Sequence, residues 1–220
     1  MRLVFLGAPG SGKGTQAKLL AERLGLLHVS TGDVLRAAIA NGTPLGRQAE
    51  RFVNNGELVP DSVVVDMVRE HLNELPSEVE LILDGFPRTA QQAEALEEIL
   101  ARKGWALDGA VALRVPRETL VARLAGRRLC PSCGGLYHVS QLQEGDEAVC
   151  PKCQVQLVTR EDDRPESVRR RLELYDRKAQ PIEAFYAARG LLREVEADGT
   201  IESVFEHLVG ALGRGGDGSH

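Results

Sequence analysis

The stretch Gly7-Ala8-Pro9-Gly10-Ser11-Gly12-Lys13-Gly14-Thr15 decides the fold of this chain. It follows a short apolar run, residues 3–6, and precedes apolar residues at helical spacing, so the pattern predicts a strand, a glycine-rich loop and a helix. Glycines let backbone N–H groups turn inward around a polyphosphate, and the helix N-terminus adds a positive dipole end. Lys13 can reach the β- and γ-phosphates as a point charge. The stretch therefore predicts a nucleoside triphosphate site.

One position in this loop departs from the usual phosphate-binding motif. That motif has Ser or Thr directly after the lysine, where the hydroxyl is a Mg²⁺ ligand. Here Gly14 follows Lys13, and the hydroxyl of Thr15 comes one residue later.

The composition is that of a folded globular protein. The 220 residues are 43% hydrophobic, which argues against a disordered chain, and the net charge of −5 means that a nucleic-acid partner is not expected. The basic clusters at residues 127–128 and 169–171 are either solvated helix faces or polyphosphate clamps. No stretch approaches the roughly 20 apolar residues of a membrane span, and the N-terminus does not resemble a signal peptide. We therefore expect a cytoplasmic protein.

Beyond the loop, apolar runs alternate with segments of helical periodicity. This alternation predicts an α/β fold with a doubly wound parallel sheet, whose ligands gather at the carboxyl ends of the strands. The predicted strands are residues 3–6, 26–29, 81–83, 109–115 and 191–196. The predicted helices, besides the one that ends at Gly25, are residues 33–40, 45–54, 61–73, 90–101, 117–128, 165–189 and 201–212. Within the helix over 117–128, Arg123 and Arg127 are expected on one face, at i and i+4.

Residues 130–158 break this pattern and carry the four cysteines. Cys130 and Cys133 form one C-x2-C pair, and after a 16-residue spacer Cys150 and Cys153 form another. This spacing is typical of a four-thiolate zinc site. Four protein ligands leave no open position for water, so the zinc is expected to be structural. Free or disulfide-bonded thiols and a catalytic zinc are the alternatives, and His138 is expected to be a bystander.

Several further motifs resemble one family. They are Ser30-Thr31-Gly32-Asp33 with Leu35-Arg36, Gly56-Glu57-Leu58-Val59 with Asp61, Asp84-Gly85-Phe86-Pro87-Arg88-Thr89 with Gln92, Arg123 with Gly126-Arg127-Arg128, Thr159-Arg160 with Asp162-Asp163, and Val168-Arg169 to Leu172. With the Gly-Lys-Gly-Thr form of the loop, these motifs resemble adenylate kinases, in the long variant with a zinc-bearing lid. The resemblance covers residues 1–212, and the late hydroxyl of Thr15 is the family's own form.

The resemblance implies a phosphate-loop nucleoside monophosphate kinase fold, a parallel sheet flanked by helices, and the reaction ATP + AMP ⇌ 2 ADP. It implies a core domain (residues 1–29, 60–125 and 164–212), a helical monophosphate-binding domain (30–59) and a zinc-binding lid (126–163). We expect the lid to close and exclude water, and residues 213–220 to be a disordered tail. The implied partners are ATP, AMP and ADP, with no nucleic acid or membrane, and the implied state is a monomer.

The resemblance also implies the site residues. Those that would bind ATP are Gly10, Ser11, Gly12, Lys13, Gly14, Thr15, Arg127, Leu136, Tyr137 and Ile201. Those that would bind AMP are Thr31, Arg36, Glu57, Leu58, Val59, Gly85, Phe86, Pro87, Arg88, Gln92, Arg160 and Arg171. Those that would act on the transferring phosphoryl group are Lys13, Arg88, Arg123, Arg160 and Arg171. Asp84 would orient Mg²⁺ through water, and Thr31 and Gln92 would read the adenine of AMP.

Two other functions stay open at this point. The first is a kinase for another nucleoside monophosphate on the same fold, since one or two side chains can change the base that is read. The second is a zinc-ribbon module that binds nucleic acid or protein, with the phosphate loop as a regulatory nucleotide switch. The net charge of −5 and the lack of basic residues interleaved with aromatic residues in the insert argue against this second function.

Overall fold

A five-stranded parallel sheet organises the chain. The computed structural model describes residues 1–54, 59–142, 149–159 and 163–213. The strands are β1 (Arg2–Gly7), β2 (Leu27–Ser30), β3 (Leu81–Asp84), β4 (Gly109–Arg114), β5 (Arg127–Leu129), β6 (Leu136–His138) and β7 (Leu192–Glu196). The helices are α1 (Lys13–Leu24), α2 (Thr31–Ala40), α3 (Pro44–Asn54), α4 (Asp61–Glu74), α5 (Ala90–Arg102), α6 (Arg117–Ala125), α7 (Pro165–Ala187) and α8 (Ile201–Gly213), with a 3-10 turn at Val139–Gln141.

The strand order of the large sheet is β2-β3-β1-β4-β7, and every pair in it is parallel. The central strand β1 reads as a continuous apolar run because both of its faces are covered, as is usual for parallel sheets. In the register, Ser30 pairs with Asp84, and Phe5 pairs with Asp84 from the other side. The carboxyl ends of β1, β2 and β3 therefore meet at one edge of the sheet.

The predicted strands of the sheet are confirmed, with bounds that differ by one residue at most. The parallel α/β fold is likewise confirmed. The helices agree to within two residues, with one exception. Residues 214–220 of the tail predicted to be disordered lie outside the described residues, and Gly213 ends α8.

The exception is the helix predicted over residues 117–128. The prediction of its C-terminal end was wrong. Helix α6 ends at Ala125 with Gly126 as its C-cap, and Arg127 begins the strand β5. Residues Arg127–Leu129 pair antiparallel with β6, and the Arg127 side chain binds Asp163. These partners lie outside the local sequence and override its helical pattern. The expectation that Arg123 and Arg127 share one helix face is therefore wrong.

The chain divides into two compact units. The first comprises residues 1–7, 12–114 and 178–220, and the second comprises residues 8–11 and 115–177. The first unit buries side chains on both faces of the sheet, and one cluster includes the fully buried Phe86, Leu72 and Leu81. A smaller cluster around Ala49, Val63 and Met67 packs α2, α3 and α4 together.

The second unit has two small apolar clusters. Leu120 and Leu124 of α6 pack against Val168 and Leu172 of α7. The other cluster surrounds the buried thiols Cys130 and Cys150, with Leu157 as its one buried aliphatic side chain among the residues described. Among the helices that the structure describes, none is long and apolar enough to cross a membrane.

Candidate active site

The phosphate loop connects β1 to α1. Gly10 and Gly12 have φ angles of +85° and +88°, a backbone conformation that glycine adopts at no steric cost. Gly12 is the N-cap of α1, so the first N–H groups of that helix lack intrahelical partners and are available to an anion. Within the first unit, Lys13 Nζ donates a hydrogen bond to the Gly7 carbonyl oxygen at 2.5 Å. Ser11 is buried, whereas Thr15 is exposed in the first turn of α1.

The structure gives a reason for Gly14 in place of the usual Ser or Thr. A Cβ atom at position 14 would lie 3.3 Å from Asp84 Oδ2, closer than most side chains tolerate. A larger residue at this position would push against the carboxylate at the end of β3. The hydroxyl of Thr15, one residue later, avoids that approach.

Asp84 ends β3 and has a second neighbour on β2. His28 Nε2 lies 3.4 Å from Asp84 Oδ2, and both side chains are largely buried. The backbone carbonyl of Asp84 accepts a hydrogen bond from Thr31 Oγ1 at 3.2 Å. Asp84 therefore connects the strand ends with both the first helix and the segment predicted to bind AMP.

Gly85 follows Asp84 and lies against two of the predicted AMP-binding side chains. A Cβ atom at position 85 would lie 2.9 Å from Thr31 Oγ1 and 3.1 Å from Arg88 Nη2. The exposed Arg88 side chain folds back so that its Nε donates to the Gly85 carbonyl at 2.7 Å. Thr31, Gly85 and Arg88 therefore form one contiguous cluster.

A hydrogen-bond network surrounds Gln92, which is buried in the first turn of α5. Its Oε1 accepts from the Arg88 backbone N–H at 2.7 Å, and its Nε2 donates to Asp61 Oδ1 at 2.8 Å. The other carboxylate oxygen, Asp61 Oδ2, accepts from Thr89 Oγ1 at 2.7 Å. Thr89 is also the N-cap of α5, since its Oγ1 accepts from the Gln92 backbone N–H.

Arg36 projects from α2 and is exposed, with its guanidinium hydrogen-bonded to Asp33. Burial alone would raise the pKa of Asp33, but the hydrogen bond and charge of Arg36 and the hydrogen bond to Ser30 lower it below its usual value. Ser30 is the N-cap of α2, with its Oγ accepting from Asp33 N–H. Arg36 is thus a cation at the surface of the helix that carries Thr31.

The remaining residues predicted to bind AMP in the first unit have different settings, and two of them lie outside the described residues. Val59 packs with the small cluster of α2, α3 and α4. Phe86 and Pro87 are buried and joined by a cis peptide bond, and they lie between Gly85 and Arg88 in the chain. Glu57 and Leu58 lie outside the described residues, as does Arg160 of the second unit.

In the second unit, two of the predicted phosphate-binding arginines converge on one buried carboxylate. Arg127 donates from both Nε and Nη2 to Asp163, with Nε at 2.6 Å from Oδ2, and Arg171 Nη1 lies 3.3 Å from Asp163 Oδ1. Of the run at residues 169–171, Arg169 and Arg170 are exposed and Arg171 is half-buried. The Arg171 guanidinium thus faces Asp163, and its role toward phosphate stays a prediction. Arg123 is half-buried on α6.

Three other residues predicted to contact ATP either contact other residues of the chain or are exposed to solvent. The Ile201 carbonyl, in the first turn of α8, accepts a hydrogen bond from Gln16 Nε2 at 2.9 Å. The side chain of Leu136, on β6, is 53% exposed to solvent. The neighbouring Tyr137 directs its hydroxyl to Cys150 Sγ at 3.3 Å.

The four cysteines form a cluster that fits a tetrahedral zinc ion. Their sulfur atoms all lie within 4.8 Å of one another, and Cys133 Sγ lies 3.7 Å from Cys150 Sγ. Zn–S bonds of about 2.3 Å in a tetrahedron give sulfur–sulfur distances of about 3.8 Å. His138 is hydrogen-bonded to Ser140 instead, at 2.7 Å. The donor set is therefore suited to a closed, structural metal site.

The surroundings of Cys150 favour its thiolate form. Burial would raise the pKa of Cys150, but hydrogen bonds from Tyr137 and from the backbone N–H groups of Cys153 and Lys152 lower it to about 6. The same contact raises the pKa of Tyr137 to about 12. A thiolate is the form that binds zinc.

The sequence did not indicate His28 as a site residue, and Thr89, Asp61 and Asp163 were named only as parts of motifs. His28 had a detectable signal, since it lies two residues before Ser30 on a strand that ends at the site. Asp61 and Asp163 stand inside the quoted motifs, but their partners could not be read from the sequence.

Comparison with known proteins agrees with this geometry. The sequence model of one family, adenylate kinase, matches residues 5–191. An adenylate kinase of Thermodesulfovibrio yellowstonii is 48% identical over 96% of this chain and 99% of its own length. Those of Lachnoclostridium phytofermentans and Carboxydothermus hydrogenoformans are 46% and 45% identical, over 97% and 96% of this chain and 99% of their own lengths. The chain belongs to the adenylate kinase family.

Proposed function

We propose that this chain transfers a phosphoryl group reversibly between ATP and AMP, giving two ADP. Beside the family membership, one observation carries the proposal. Asp84 lies against Gly14 of the phosphate loop and accepts from Thr31 of the segment assigned to AMP. One strand end thus adjoins both the residues assigned to the donor and those assigned to the acceptor.

The proposed chemistry needs positive charge rather than a general base. The attacking group is a phosphate oxygen of AMP, which is already anionic at pH 7. The barrier lies in bringing two polyanions together and in stabilising the charge of the transferring group. Lys13 and Arg88 supply fixed charge in the first unit, and Arg123 and Arg171 supply it in the second. Arginine suits this role because its planar fork binds phosphate oxygens in pairs.

Two metal ions have proposed roles. When bound with ATP, Mg²⁺ neutralises the phosphate charge, and Asp84 would hold it through water. The residues that would hold a structural Zn²⁺ are Cys130, Cys133, Cys150 and Cys153, and a zinc site would keep residues 126–163 rigid as a lid that excludes water. We further propose that the protein is a cytoplasmic monomer.

An acceptor screen tests this function. The protein is incubated with Mg-ATP and each of AMP, GMP, CMP, UMP and dTMP, and ADP formation is followed. ADP formation with AMP far above that with the others is the expected result. Arg88→Met should then lose most of this activity, while Arg69→Met, a change to an arginine paired with Asp66 on α4, should retain it. A preference for another monophosphate would overturn the assignment of AMP.

A further inference from the structure

The hydrogen-bond network around Gln92 fixes which way its amide group points. The Asp61 carboxylate can only accept, so the atom of Gln92 that faces Asp61 Oδ1 at 2.8 Å is the NH2 group. The Arg88 backbone N–H can only donate, so the atom that it contacts at 2.7 Å is Oε1. Both neighbours have one possible polarity, and together they determine the orientation.

Thr89 strengthens this arrangement on the Asp61 side. Its hydroxyl oxygen accepts from the Gln92 backbone N–H at the start of α5, so its single hydrogen is directed to Asp61 Oδ2 at 2.7 Å. Asp61 is thereby held between Thr89 and Gln92. Turning the amide over would set Oε1 against the carboxylate and NH2 against a backbone N–H. Because Gln92 is only 3% exposed, water could not relieve either clash.

Counting contacts with the described residues, this orientation leaves one N–H of the Gln92 amide and one lone pair of Oε1 available to a ligand. Adenine offers an amino group as donor and a ring nitrogen as acceptor, which match that pair. Cytosine offers the same polarity on a smaller ring. Guanine and uracil offer a carbonyl acceptor and a ring N–H donor, so they need the reversed amide that the network excludes.

We propose that Asp61, supported by Thr89, is a specificity-determining positioning residue. It acts through Gln92 to admit amino-bearing bases and to reject bases that present a carbonyl at the same place. The inference rests on the proposed function, in which Gln92 reads the base of AMP. Asp61 itself does not touch the substrate. The fixed polarity of the half-buried Asp61 carboxylate thus determines which base of the acceptor nucleotide is preferred.

Asp61→Asn is the direct test, because it keeps the shape of the side chain and allows either polarity. The Arg88 N–H still opposes the reversed amide, so only part of the discrimination of a bidentate base contact should be lost, roughly tenfold. The kcat/KM ratios AMP:GMP and AMP:UMP should each fall roughly tenfold. The AMP:CMP ratio should stay within about twofold, because both bases have the same polarity.

The control is Asp66→Asn on the same helix, where the carboxylate pairs with Arg69 at the surface. It should leave all three ratios unchanged. A purely structural role of Asp61 would lower kcat/KM for every acceptor by one common factor, and that result, or unchanged ratios, would overturn the inference. An unsubstituted protein that shows no preference for AMP over GMP would instead contradict the proposed function, and the inference would fall with it.

A second measurement uses the unsubstituted protein and does not depend on the variant folding. The side-chain amide protons of Gln92 are followed by NMR hydrogen exchange beside those of Gln91, its exposed neighbour on α5. Slow exchange of a Gln92 proton, with exchange at Gln91 at least tenfold faster, supports a held amide. Equal exchange at the two residues would overturn the inference.

Discussion

Asp163 offers a sharp test of how the second unit holds its arginines. Its side chain is fully buried, and its partners Arg127 and Arg171 are 20% and 31% exposed. In Asp163→Asn the amide oxygen can take the place of Oδ1 and accept from both arginines, but the NH2 group then faces the Arg127 Nε–H donor. Hydrogen bonds to charged groups contribute about 1.5–3 kcal/mol. Because both arginines are partly solvated and the bonds that remain lose the carboxylate charge, we expect a loss of roughly 2–3 kcal/mol.

The assay is thermal unfolding, with Asp176→Asn as the matched control. Asp176 pairs with Arg117 in the same unit, but both side chains are about half exposed. In a chain of this size 1 kcal/mol changes Tm by about 2–4 °C, so Asp163→Asn should lower Tm by roughly 4–12 °C. The exposed pair contributes under about 0.5 kcal/mol, so the control should stay within about 2 °C. Equal Tm values for the two variants would refute the reasoning that burial makes the Asp163 contacts strong.

Two further predictions concern the thiol cluster and Gly85. Cys150→Ser should lower Tm and the amount of bound zinc more than it lowers the rate of phosphoryl transfer at moderate temperature. Lys152→Ala, on the same turn, should change neither Tm nor the amount of bound zinc. An unaltered Tm in Cys150→Ser would contradict a structural metal. Gly85→Ala adds a Cβ atom against Thr31 and Arg88, so its KM for AMP should rise several-fold. Gly42→Ala, also at positive φ but with open space around it, should leave that KM unchanged, and similar kinetics in both variants would count against the contact.

The strands and most helices could be predicted from the sequence because their causes are local. In a sequence where strands and helices alternate, a short apolar run such as residues 81–83 predicts a buried parallel strand. Strand β3 matches this prediction within one residue. Gly25 ends α1 in a left-handed conformation, and Ser30 caps α2, as their chemistry predicts. The thiol cluster was predictable because two C-x2-C pairs have few other roles.

The end of α6 and the network around Gln92 depend on contacts between distant residues. Arg127 lies in β5 rather than in α6, and its side chain donates a hydrogen bond to Asp163, which is 36 residues later in the chain. Asp61 and Gln92 are 31 residues apart, and Thr31 and Asp84 are 53 apart. Such partners cannot be predicted from helical periodicity or from the spacing of motifs. The motifs indicated which residues to examine, and the fold determined which of them touch.

The most direct test of the central claim is the stoichiometry of the reaction. ATP, AMP and Mg²⁺ are mixed with the protein, and all phosphorus species are followed together by ³¹P NMR. The account predicts that one ATP and one AMP disappear for every two ADP formed, with no inorganic phosphate, and that ADP alone regenerates ATP and AMP. Release of inorganic phosphate without consumption of AMP, or no turnover at all, would contradict it.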